Sequence, residues 1–265
     1  MKLSISNIAW DAAQDDAVYT LMRKYGYSGL EIAPTRILPE APYDQIEAAE
    51  KWSKELKARW GFSVPSLQSI WYSRQEKIFG TDEERLFLID HSKRAIDFAA
   101  VVGSRNLVFG CPRNRILPEG TDPNVAITFF RELGDYAASK GTTIGMEANP
   151  TIYHTNYIND TRSAINLIGQ VNSKGFMLNL DVGTMIQNRE AVSELINHVH
   201  LISHVHISEP GLKPIEERNL HQELKKILTE ENYGGFVSIE MAKVAEVSVV
   251  ENALVYVRSI FGQES

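Results

Sequence analysis

Short apolar runs of strand length recur eight times along the chain, and each is followed by a stretch with apolar residues at helical spacing. The strand candidates are 3–9 (LSISNIA), 29–34 (GLEIAP), 63–70 (SVPSLQSI), 106–111 (NLVFGC), 143–148 (TIGMEA), 176–182 (FMLNLDV), 203–208 (SHVHIS) and 236–241 (FVSIEM). The expected helices cover Asp15–Tyr25, Tyr43–Trp60, Asp82–Val102, Asn124–Lys140, Thr161–Asn172, Arg189–Val199, Leu220–Glu231 and Ser248–Phe261. In the third, Leu86, Ile89, Ala95, Ile96 and Ala99 repeat on one face with charges between them. Gly26, Gly61, Gly103, Gly141, Gly175 and Gly234 each fall between a helix and the next strand, where a left-handed C-cap is expected.

Strict alternation of strand and helix, with no linker or low-complexity tract, predicts an α/β fold: a single (β/α)8 TIM barrel occupying residues 1–265 as one domain. An open doubly wound sheet is the alternative, but it usually carries a glycine-rich first turn that this chain lacks.

Four of the apolar runs end on a group that binds divalent cations. These are Glu147 in GMEAN, Asp181 in LNLDVG, His206 in HVHISE and Glu240 in SIEM. Barrels of this kind place their active sites at the C-terminal strand ends, so four consecutive strands would bring three carboxylates and an imidazole to one side of the mouth. That donor set suits a fairly hard divalent ion such as Mn2+, Mg2+ or Co2+, with Zn2+ also compatible. Ion pairing across the mouth is the plain alternative for any one of the four.

The composition narrows the chemistry further. A net charge of −7 and a pI near 5.6 argue against nucleic acid as a partner. The lone Cys111 forbids an intrachain disulfide; without a paired base it reads as a small buried filler rather than a nucleophile. No apolar run approaches the roughly 18 residues of a membrane span, and the first residues already read as a strand. A cytoplasmic protein without membrane partners is expected.

The motifs GMEANP, LNLDVGT, HVHISEP and SIEM, in this order, resemble the xylose isomerase-like barrel superfamily, in its sugar (phosphate) isomerase/epimerase branch, over the whole chain. The resemblance implies that Glu147, Asp181, His206 and Glu240 bind one divalent metal. It also implies that Glu147 and Glu240 act as acid and base on a small carbohydrate through a metal-stabilised enediolate. Proton return to the same carbon from the other face gives epimerisation, and return to the neighbouring carbon gives isomerisation. Homo-oligomers are common in such families.

The chain also departs from that pattern. Thr184 stands where many relatives have a histidine, and the NPTIYH and SEPGLKP runs lack the glutamate and arginine of tagatose-type epimerases. A keto-sugar or inosose-type dehydratase on the same site and a non-catalytic sugar-binding barrel are the alternatives. The abasic-site endonuclease relatives carry more metal-binding histidines than this chain shows.

Strands one to four are then expected to face the substrate with Trp10, Glu31, Arg36, Gln68, Trp71, Phe109 and Arg113. Asn149, Tyr153, His154 and Asn156 follow Glu147 in a polar loop. After the seventh strand, Glu209, Lys213, Arg218 and His221 could cover the site, with His221 the strongest candidate to face it, and Lys213, Arg218 and Lys243 could bind an anion. His204, two residues before His206, reads as a core histidine one layer deeper.

Overall fold

The computed structural model describes residues 1–262. Eight parallel strands form the wall: β1 (Lys2–Ser6), β2 (Gly29–Glu31), β3 (Ser66–Leu67), β4 (Asn106–Phe109), β5 (Ile144–Met146), β6 (Phe176–Asp181), β7 (Ile202–Ile207) and β8 (Phe236–Ile239). They run in the order β2-β1-β8-β7-β6-β5-β4-β3. Isolated parallel bridges Gly29↔Ser63 and Ile32↔Leu67 join β2 to β3 and close the ring. The expected barrel is therefore present.

The helices are α1 (Asp15–Lys24), α2 (Pro34–Ile37), α3 (Ile46–Trp60), α4 (Asp82–Val102), α5 (Asn124–Ser139), α6 (Thr161–Val171), α7 (Val182–Asn188), α8 (Asn219–Glu230) and α9 (Val247–Phe261). Their apolar faces pack against the outward-facing strand residues, among them Leu3, Ile5, Leu30, Leu107, Val205, Val237 and Ile239, in one continuous core. None of them is long and apolar enough to cross a membrane.

Many axis-facing positions are small or polar instead, Ser4, Ser66, Asn106, Gly145, Asn179 and Ser238 among them. Asn106 Nδ2 donates to Ser66 Oγ (3.0 Å), and Ser203 Oγ donates to Asn106 Oδ1 (2.7 Å). Gly145 of β5 makes room for this network, since a Cβ there would lie 2.5 Å from Asn106 Oδ1. The barrel interior is thus a polar column beneath the site.

Three local expectations are corrected. The strand expected over 63–70 is reduced to Ser66–Leu67, because Pro65 has no N–H to give to a ladder. The helix expected over Arg189–Val199 lies earlier, at Val182–Asn188, and ends where Arg189 turns left-handed (φ 57°); short 3-10 turns at Val192–Leu195 and Val199–Leu201 follow it. Gly26, Gly61, Gly103 and Gly141 do take the left-handed conformation. After α6 and α8, however, Asn172 (φ 49°) and Asn232 (φ 60°) supply it. Gly175 instead lets the chain touch α5, where any Cβ would overlap the Gly134 carbonyl.

Candidate metal centre

The four donors sit at equivalent heights because the parallel register aligns their strand ends. Asp181 of β6 lies beside His206 of β7, and Ile207 pairs with Ile239, the residue before Glu240. The ladder continues past the strand ends: Glu147 N–H donates to Phe109 O (3.1 Å) and Glu240 N–H to Ile207 O (2.9 Å). One donor atom from each of Glu147, Asp181, His206 and Glu240 lies within 4.8 Å of all the others.

His206 Nδ1 lies 3.1 Å from Glu147 Oε2 and 3.2 Å from Glu240 Oε2. Three oxygens and one imidazole nitrogen at this spacing fit a divalent ion of the Mn2+, Mg2+ or Co2+ type. The electrostatics agree. Burial raises the Asp181 carboxyl to about 6, with Glu147 adding to the effect, while Ser208, His206 and Thr184 oppose it. Burial also raises Glu240, against the pull of His206. Burial disfavours a charged His206, but Glu240, Glu31 and Glu147 outweigh it and hold its pKa well above the ordinary value. Crowded, desolvated carboxylates of this kind call for a cation.

The four donors are not held equally. Asp181 caps α7: its Oδ2 accepts from Thr184 N–H (2.8 Å) and Thr184 Oγ1 (2.7 Å), and its Oδ1 accepts from the Ser208 hydroxyl. Glu147 accepts from Asn149 Nδ2 (3.0 Å) and Asn179 Nδ2 (2.9 Å). Fully buried Arg115 donates to the Glu147 carbonyl and to Asn149 Oδ1, both at 2.8 Å. His206 is the close polar contact of the Glu240 carboxylate, which is therefore the freest of the three to move.

A cavity of about 180 Å³ opens above these donors, bordered by Gln68, Gly110, Cys111, Asn149, Tyr153 and Leu212 as well as Glu147, Asp181 and Glu240. Tyr153 also spans the opening, its hydroxyl accepting from Gly211 N–H (2.9 Å). Cys111 is half-buried, and burial pushes its thiol up to about 12, as suits a filler rather than a nucleophile.

Gln68, Asn149 and Tyr153 thus border the cavity, whereas five other residues expected at the substrate lie away from it. Trp10 is buried against Tyr19 and gives its indole N–H to Asp15. Trp71 gives its own to Ser92 and packs edge-on against Phe109. Glu31 is fully buried, behind His206. Lys213 is exposed beyond the cavity rim. His221 is buried between α8 and α9, 2.8 Å from Tyr256 Oη.

The weaker candidates also have structural roles. Arg36 pairs with Asp15 at 2.7 Å and Arg218 with Glu209 at 2.5 Å. His154 and Asn156 are exposed. His204 is buried as expected, 2.7 Å from Glu31. Sequence reasoning missed Asn179, Ser208, Thr184 and Arg115 as supports of the donors. Asn179 had a signal: it shares strand parity with Asp181 and so points to the axis.

The match to known proteins is one of fold and family. The model of the xylose isomerase-like TIM barrel family matches residues 19–259. No curated protein matches in sequence. Among solved structures, 3-keto-D-glucoside 4-epimerase from E. coli is 22% identical with a TM-score of 0.76, over 98% of this chain and 99% of that one. A D-psicose 3-epimerase is 15% identical with a TM-score of 0.77, over 99% and 100%. A family 2 AP endonuclease from Brucella melitensis is 20% identical with a TM-score of 0.71, over 97% and 98%. At these identities the likeness is one of fold. With a closed eight-stranded barrel and a family match across nearly its whole length, this chain belongs to the xylose isomerase-like TIM barrel family.

Proposed function

We propose that the protein is a divalent-metal-dependent isomerase or epimerase of a small sugar or sugar derivative. The observation that carries this reading is the convergence of Glu147, Asp181, His206 and Glu240 beneath a cavity that both glutamates border. A bound cation, for which Mn2+ is the first choice, would be held by these four residues and would supply Lewis acidity toward neighbouring substrate oxygens.

The chain's own groups do the rest. A carboxylate beside the cavity can take the proton from a carbon next to a carbonyl, and a second can return one. Glu240, with the fewest hydrogen bonds, is suited to move a proton, while Glu147, braced by Asn149 and Asn179, is its fixed counterpart. Asp181, fixed by Thr184 and Ser208 with a lone pair of Oδ1 to spare, is suited to ligation alone. Gln68, Asn149 and Tyr153 supply polar contacts to hydroxyls. The relatives named above include sugar epimerases, which favours a carbohydrate substrate.

Incubation of the Mn2+-loaded protein in deuterated water with a panel of ketoses and keto-sugars tests the reading. Deuterium enters the substrate carbon with the wild type and is lost with Glu147→Gln and with Glu240→Gln. Undiminished exchange in both variants overturns the proton-transfer roles, and net loss of water from the substrate reassigns the reaction to a dehydratase.

A further inference from the structure

Glu31 ends β2 on the opposite side of His206 from the other donors. Its two carboxylate oxygens each lie 3.1 Å from His206 Nε2, whereas His206 Nδ1 faces Glu147 and Glu240. A neutral imidazole has one lone-pair nitrogen and one N–H, and the hydrogen bond made by the second decides which nitrogen can ligate. A carboxylate only accepts, and carboxylates flank both nitrogens, but Nδ1 alone also meets a donor, Asn179 Nδ2 at 3.3 Å, and faces the four-donor cluster a cation would fill. With a cation there the lone pair belongs on Nδ1 and the remaining proton on Nε2, toward Glu31.

The same carboxylate meets two more side chains. His204 Nε2 lies 2.7 Å from Glu31 Oε2. Gln68 Nε2 donates to Glu31 Oε1 at 3.3 Å and also to the Ser6 hydroxyl. Because the Gln68 amide nitrogen must face acceptors, its carbonyl Oε1 is left toward the cavity that Gln68 borders, 3.3 Å from Ser69 Oγ. Glu31, His204 and His206 are all buried, so water does not compete for the bonds to His206 and Gln68, while His204 meets Glu31 as a close ion-pair contact without hydrogen-bond geometry.

We propose that Glu31 is the positioning residue of the metal centre, accepting the Nε2 proton of His206 so that Nδ1 ligates, and turning Gln68 so that it offers substrate an acceptor. This rests on the reading of Glu147, Asp181, His206 and Glu240 as ligands. It makes Gln68 Oε1 selective for a substrate hydroxyl at that point of the wall, and it explains why a carboxylate is buried one layer below the mouth. A rival use of the same atoms is a second ion held by Glu31, His204 and His206, which are close enough to ligate one.

Two measurements test the proposal. The first is titration of the metal-free protein with Mn2+ against a chromophoric chelator, for wild type and Glu31→Gln, with thermal melts to confirm folding. One ion per chain is expected in the wild type, with affinity about 10- to 100-fold weaker in the variant. The second needs no variant: 15N-detected histidine spectra of the Zn2+-loaded wild type should show His206 protonated on Nε2 and metallated on Nδ1.

Affinities within twofold of each other, a ring ligated through Nε2, or two ions per chain overturn the role of Glu31. A wild type that binds no divalent ion overturns the metal reading itself, and this one with it. The two failures are therefore distinguishable.

Discussion

Arg115 shows how much of the centre depends on residues that never reach the cavity. Its guanidinium is fully buried, and burial lowers its pKa to about 10. It donates to the carbonyls of Glu147 (2.8 Å) and Ile158 (3.3 Å) and to Asn149 Oδ1 (2.8 Å), tying the end of β5 to the loop that follows. Arg115→Met keeps much of the volume but strands these acceptors, so a loss of about 2–4 kcal/mol in urea unfolding is expected. An unchanged midpoint would show that water replaces the guanidinium. The four candidate ligands were legible because each closes an apolar run. Arg115 and Thr184 were not, because their roles depend on which distant backbone atoms the fold brings to them. Glu31 was legible as a site residue but at the wrong depth. Its carboxylate is fully buried against His204 and His206, partners that the strand pattern alone does not reveal, and does not border the cavity. Trp10 and Trp71 are expected to face the substrate, yet each ring is buried in the core and gives its N–H to a side chain there, Asp15 and Ser92.

At the scale of elements, the packing of α8 against α9 contains a titration separate from the four-donor cluster. His221 is buried there, with Nδ1 2.8 Å from Tyr256 Oη and Nε2 without a hydrogen-bond partner among the described residues. Burial, with help from Arg218, lowers its pKa to about 4. The unfolded chain, with an ordinary value near 6.5, binds the proton more readily. The neutral ring's contribution is therefore complete above about pH 6.5 and is lost as pH falls toward about 4, by roughly 3 kcal/mol at most. His221→Leu should flatten the stability profile across that window relative to the wild type, as read by chemical denaturation at pH 7, 5.5 and 4. Parallel profiles would place the acid sensitivity elsewhere. Helix ends were readable where an apolar stripe meets a C-cap glycine, as at Gly61 after α3 and Gly103 after α4. Helix α7 was misplaced because Asp181 is both the last strand residue and the N-cap, leaving no loop to mark the change of period.

Across the whole molecule, cation and fold should be thermodynamically linked, because the four donors lie on β6 and β7 and immediately after β5 and β8. A divalent ion at 100 times its dissociation constant is expected to raise unfolding stability by about 2.7 kcal/mol, seen as a higher melting temperature that a chelator reverses. A melt indifferent to Mn2+, Mg2+ and Co2+ would count against the centre. The barrel was legible from the eightfold alternation of strand and helix. Its thin closure was not, since only the structure shows β2 meeting β3 through two isolated bridges. The placement of the donors also divides labour around the ring. The groups that would do the chemistry come from the second half of the chain, while much of the cavity wall, including Gln68, Gly110 and Cys111, follows β3 and β4. Mutation can therefore remodel what the protein recognises without disturbing how it reacts, so lineages sharing this scaffold are free to drift toward new substrates while inheriting one reaction centre.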